Sequence, residues 1–162
     1  MLSRFPAGRK IFIDANIFIY HFLGLKDDCS QLLGHVENKE ITAFASVIVL
    51  AEVWHRLMIA EAIESYGLTP RKAVSYLNNH PDIVRKLSRC HEAIASISRM
   101  RVKIWPLTQK TFVLAQGISH QYGLLTNDAL NAALMRLHRV EDIATNDDDF
   151  LRIKDVKVWR PS

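Results

Sequence analysis

Lys10-Ile-Phe-Ile-Asp14 is a short, unbroken apolar run that ends on a carboxylate. Without polar alternation, such a run suits a strand buried on both faces, as at the centre of a parallel sheet. A parallel partner can be reached only through a crossover, so helices and strands should alternate downstream. They do. Cys29–Glu37 is helix-like, and Ile41–Ala45 (ITAFA) is a second strand. Val47–Tyr66 reads as one long helix with Gly67 behind it as a C-cap signal. Thr69-Pro70 opens another helix, with Thr as N-cap and Pro in the first turn. Pro81 starts the next, whose apolar positions Ile83, Leu87, Cys90, Ile94 and Ile97 step by four and three residues. Val102–Trp105 is a strand, and Thr108 caps a helix that runs to Tyr122 and stops at Gly123. Asn127 caps a helix from Asp128 to about His138, Ile143–Thr145 is a strand that runs into acids, and Val156–Trp159 is an edge strand. The expected class is α/β: a three-layer α/β/α sandwich with a mainly parallel sheet of about four or five strands. The strand-free stretch from Val47 to Met100 predicts a helical hairpin built onto the sheet.

With 162 residues the chain reads as a single domain, 1–162. A hydrophobic share of 49% and a charged share of 23% exclude a disordered or low-complexity chain. The net charge of +4 permits a polyanionic partner without demanding one. Cys29 and Cys90 are too few for a disulfide framework, and no CxxC pair offers a zinc site. Free thiols point to a reducing, cytoplasmic setting. No apolar run approaches the ~20 residues of a membrane span. Arg4, Arg9 and Lys10 ahead of Ile11–Phe22 imitate a secretion signal, but Asp14, Asn16 and His21 interrupt the stretch and no small-x-small site closes it. Seven histidines show no HExxH or HxH spacing, and neither GxSxG nor a glycine-rich phosphate loop is present.

The acids are more informative. Asp14 ends the first strand, Asp147 follows the strand Ile143–Thr145, Asp128 begins a helix, and Glu52 lies early in the helix that leaves the second strand. In an open parallel sheet the loops at the carboxyl ends of the strands meet at the ligand crevice, so these acids can converge. Converging carboxylates repel, and a divalent cation relieves the repulsion. An all-oxygen donor set favours Mg²⁺ or Mn²⁺ over Zn²⁺. Water activated by such an ion suits phosphodiester hydrolysis.

The residues then carry a family resemblance. Ile11-Phe-Ile-Asp14-Ala-Asn16 resembles the opening motif of PIN domains, and Ser46-Val-Ile-Val-Leu-Ala-Glu52 resembles their second. Leu125-Thr-Asn-Asp128-Ala-Leu-Asn131 resembles the third, and Thr145-Asn-Asp147-Asp-Asp149-Phe150 the fourth. All four stand in the family order and span nearly the whole chain. The length is similar to VapC-type toxins of type II toxin–antitoxin pairs. The resemblance implies a ribonuclease using Mg²⁺ or Mn²⁺, with Asp14, Glu52, Asp128 and Asp147 as the catalytic, metal-binding acids. It also implies Asp149 as an auxiliary acid, and Asn16, Ser46 and Thr145 as groups that orient carboxylates or water. RNA is the implied substrate, an antitoxin the implied protein partner and a homodimer the implied assembly. A housekeeping RNA-processing nuclease and a non-catalytic binding module stay open beside the toxin. Arg136 and Arg139, on the Asp128 helix, are the expected RNA contacts.

Overall fold

The computed structural model describes residues 1–162. Five strands form one sheet in the order β3-β2-β1-β4-β5: β1 (Lys10–Ile13), β2 (Thr42–Ser46), β3 (Lys103–Trp105), β4 (Asp142–Ala144) and β5 (Lys157–Trp159). Every neighbouring pair is parallel. Central β1 has Ile11, Phe12 and Ile13 fully buried, as its unbroken apolar run requires.

The strand order fixes where the helices lie. From β1 the chain steps outward to β2 through α1 (Ala15–Phe22) and α2 (Asp27–Glu37). It steps in the same direction to β3 through α3 (Val47–Tyr66), α4 (Pro70–Asn79), α5 (Pro81–Val84) and α6 (Arg89–Arg99). It then returns across β2 and β1 to β4 through α7 (Gln109–Tyr122) and α8 (Thr126–Leu137). Crossovers are right-handed, so a reversal of direction puts α7 and α8 on the opposite face from α1–α6. Packing agrees, with α3 against α1, α4 and α6, and α7 against α8. One apolar core of 44 buried residues unites both faces.

Three local expectations need correction. Helix α1 is absent from the sequence reading because Ile17, Phe18 and Ile19 are all buried, which leaves no polar stripe to show a period. The Ile83–Ile97 stripe is not one helix. It breaks at Arg85–Ser88, and α6 restarts at Arg89 because Glu61 of α3 receives its free N–H groups: Ser88 and Arg89 donate to Oε1 at 2.9 and 3.2 Å, and Cys90 donates to Oε2 at 2.9 Å. Helix α8 begins at Thr126 with Leu125 as N-cap, rather than at Asp128 with Asn127 capping.

Candidate active site

β1 and β4 are neighbours in space, yet the chain leaves β1 in one direction and reaches β4 only after the rest of the sheet half is built. This is the switch point of the sheet, where a crevice opens beyond the strand carboxyl ends. Asp14 stands there, its N–H continuing the ladder to the Ala144 carbonyl at 3.0 Å. Thr145 stands beside it, one residue beyond β4.

A polar lattice joins the two strand ends. The Thr145 hydroxyl donates to Asp14 Oδ2 at 2.7 Å, and Asn16 Nδ2 donates to the same oxygen at 2.8 Å. Both side-chain donors use Oδ2, so Oδ1 is free of side-chain partners. The Asp147 N–H donates to Thr145 Oγ1 at 3.0 Å, and the Asn146 N–H donates to Asn16 Oδ1 at 3.1 Å. The Asp149 N–H donates to Asp147 Oδ1 at 2.8 Å. Thr145 is fully buried, so its hydroxyl is a fixed link between the carboxylate of β1 and the loop after β4.

Carboxylate oxygens of Asp128, Asp147 and Asp149 all lie within 4.8 Å of one another. Burial, then the charges of Asp14, Asp147, Asp149 and Glu52, push the Asp128 carboxyl up to about 7. Asp14 also stands above the ordinary carboxylate range. Burial drives that rise, the Thr145 and Ala15 hydrogen bonds oppose it, and the charges of Glu52 and Asp147 add to it. Five acids from β1, α3, α8 and the β4 loop thus share one electrostatic neighbourhood, with no histidine or cysteine in the close carboxylate group. Asp149 belongs to that close group and also pairs with Arg152 at 2.7 Å.

Ser46 does not orient a carboxylate. Its hydroxyl donates to Asn131 Oδ1 at 2.7 Å and accepts the Val49 N–H at 3.1 Å as the N-cap of α3. Asn131, buried one turn after Asp128, therefore couples α8 to the start of the Glu52 helix. The sequence offered only its place in the third motif. Arg136 and Arg139 do not rim the crevice. Arg136 is eight residues past Asp128, ~12 Å along the axis, and Arg139 shares a pocket with Arg9 and Lys10 at the amino ends of the strands. They flank the wrong end of the sheet for the crevice.

The family model described as PIN domain matches residues 11–156. This chain is a PIN domain. The PIN domain is 32% identical over 144 residues to Ribonuclease VapC2 of Methanocaldococcus jannaschii, covering 89% of each chain. It is 25% identical over 150 residues to Ribonuclease VapC6 of the same organism, covering 92% of this chain and 95% of the relative. In fold it resembles a chain of VapBC2 from Rickettsia felis bound to a promoter DNA fragment, with a TM-score of 0.60, 18% identity, and coverage of 94% and 99%. It also resembles VapC20 of Mycobacterium tuberculosis, a sarcin–ricin loop cleaving toxin, with a TM-score of 0.58, 18% identity, and coverage of 89% and 95%.

Removing the Thr145 hydroxyl tests the lattice. Thr145→Val keeps the shape but takes a donor from buried Asp14 and an acceptor from Asp147. Expected is a loss of about 1–3 kcal/mol in chemical denaturation, with the Asp14 carboxyl driven further up because its lowering partner is gone.

Proposed function

We propose that this PIN domain, taken as the single unit 1–162, is a metal-dependent endoribonuclease that hydrolyses RNA phosphodiester bonds. We read it as the toxin of a type II toxin–antitoxin pair, acting in the cytoplasm, held by a cognate antitoxin and assembled as a homodimer. The ribonuclease names of the two Methanocaldococcus jannaschii relatives support the ribonuclease part of this reading. The observation that carries the chemistry is the close group of Asp128, Asp147 and Asp149 beside buried Asp14 at the switch-point crevice.

The donor set fits a hard divalent cation. Only carboxylate oxygens are offered, and Asp128 is held up at about 7 by burial and then by neighbouring negative charges, which a cation would offset. Asp14, Asp128 and Asp147 would hold Mg²⁺ or Mn²⁺, with Glu52 and Asp149 beside them. When bound, such an ion supplies Lewis-acid charge to the phosphoryl group and acidity to water. The chain's own parts have separate tasks. Thr145 and Asn16 pin Oδ2 of Asp14 and leave Oδ1 without a side-chain partner. The Asp147 carboxylate is steadied through Oδ1 by the Asp149 N–H. Glu52, half-buried on α3, accepts the proton released from the attacking oxygen.

The sign of the Asp128 shift gives a test that needs no substrate. Its carboxyl is raised from 3.8 to about 7 on folding, so the metal-free fold carries no penalty below 3.8. The penalty grows between the two values and is complete above about 7. In EDTA, Asp128→Asn should melt above the parent at pH 8 and level with it near pH 4. Saturating Mn²⁺, at roughly a hundred times Kd, should add about 2.7 kcal/mol to the parent and little to the variant. No Mn²⁺ response in the parent would favour a non-catalytic module. Function itself is tested by induced expression with mapping of RNA ends. Growth arrest with new RNA ends supports the toxin, and cleavage without arrest points to a processing enzyme.

A further inference from the structure

Three cations around the loop after β4 and the chain end are already engaged. Arg152 is paired with Asp149, Arg160 with Asp148, and the Lys26 ammonium donates to the Ser162 carbonyl. The opposite edge of the sheet differs. Within the three residues ahead of each strand and its first residue stand eight lysines and arginines against four acids. Of those acids, Asp142 is paired with Arg9 and Glu40 with His35. Lys10, Lys39, Arg101, Lys103, Arg139 and Lys157 are exposed and have no ion-pair partner. Register places Lys10 level with Thr42, and Phe44 with Lys103, so that Arg101, Thr42 and Lys10 fall in one row. Arg139 lines the same pocket as Arg9 and Lys10. The Gly8 N–H donates to the Glu40 carbonyl at 2.7 Å, which holds the Lys39 turn against the chain entering β1.

Three non-glycine residues have positive φ: Lys39 (64°), Arg101 (61°) and Arg139 (55°). Each follows the C-cap of a helix, α2, α6 or α8, in the turn that leads into β2, β3 or β4. Glycine is the usual residue for a left-handed helix end. This chain uses it elsewhere, at Gly67 after α3 and Gly123 after α7. At the three turns that open onto the amino-end edge, the strained position carries a cation instead.

We propose that the amino-end edge of the sheet is a phosphate-binding surface for RNA, gripping the backbone away from the bond cut in the crevice. The ligand's identity as RNA rests on the ribonuclease reading; the surface does not. Backbone contacts by lysine and arginine position a nucleic acid and make its affinity depend on salt.

The test is binding of a fluorescein-labelled, single-stranded RNA of about 20 nucleotides, followed by anisotropy in EDTA across a salt series. Cleavage is silent there, so an error in the ribonuclease reading cannot imitate the result. The variant is Lys39→Gly/Arg101→Gly/Arg139→Gly, which removes three charges while giving each left-handed turn its preferred residue. Its melting temperature should equal or exceed the parent's. Affinity should fall at least about tenfold, and the slope of log K against log salt should shallow by about 2, near 0.7 per lost contact. The control Arg71→Gln/Lys72→Gln/Lys86→Gln removes equal charge from the α4–α5 region and should change affinity less than about twofold. Equal losses in both variants, or no loss in the first, would overturn the proposal. So would a fall in melting temperature without a fall in affinity, since the cations would then serve only the helix ends. If the glycine variant fails to fold, Lys10→Gln/Lys103→Gln/Lys157→Gln reads the same surface by the same criteria. Tighter binding of duplex DNA of equal length than of RNA would also overturn it.

Discussion

Asp14→Asn should lower RNA cleavage by roughly 10²–10³-fold or more while raising the stability of the metal-free protein. Both effects come from one carboxylate. Asp14 is 7% exposed, and its carboxyl lies above the ordinary range because burial outweighs the Thr145 and Ala15 hydrogen bonds. An Asn carbonyl oxygen still accepts from Thr145 and Asn16, so the lattice between β1 and β4 survives. What disappears is the negative charge toward the crevice. Because the folded carboxyl is raised, its cost is absent at low pH and increases as pH climbs through its folded range. The gain in melting temperature should therefore be larger at pH 8 than at pH 5. Cleavage assays with Mn²⁺, beside thermal melts in EDTA at the two pH values, measure both halves. Full activity in the variant would remove Asp14 from the site.

The second large effect concerns stability alone. Glu61→Ala should cost about 3 kcal/mol, because three N–H groups at the start of α6, that of buried Cys90 among them, lose their acceptor. For a chain of this size that is a fall of roughly 6–12 °C in melting temperature. Helix α6 has no cap of its own, since Ser88 makes no side-chain cap bond, so α3 supplies it. Burial pushes the Glu61 carboxyl up, but the N–H groups of Cys90, Ser88 and Arg89 outweigh it and hold it below 4.5. With the folded value depressed, the contribution is complete above 4.5 and lost as pH falls through the folded value. The variant should show a shallower acid limb than the parent, with RNA binding intact in the folded fraction. Unchanged stability would show that solvent satisfies the α6 N-terminus.

The same two carboxylates show what a sequence reveals. Asp14 was legible because it closes an apolar strand, and strand ends in a parallel sheet have a fixed destination. Asp128 and Asp147 were legible for similar reasons, and the motif order tied the set together. Glu61 was not. Its partners lie 27–29 residues away, and nothing in α3 marks one glutamate of that helix as buried. Without it, the Ile83–Ile97 periodicity reads as one helix, whereas the chain breaks and restarts on a remote cap. Asn131 was hidden in the same way, since its importance lies in a hydrogen bond across 85 residues to Ser46. Helix α1 escaped because a segment apolar on every side has no period. Arg136 and Arg139 were misplaced by reasoning along a helix without its direction: α8 starts at the crevice and runs away from it.

The crevice joins parts that are synthesised far apart. Asp14 emerges early, but the hydroxyl that fixes it belongs to Thr145, 131 residues later. A nascent chain that has left the ribosome only through α6 holds two of the five acids and lacks both the strand and the loop that complete the crevice. Loop closure over such a span comes late in folding. A nuclease built this way is inert beside the translation machinery until nearly all of it has been made. Its acids are brought together only when β4 docks on β1.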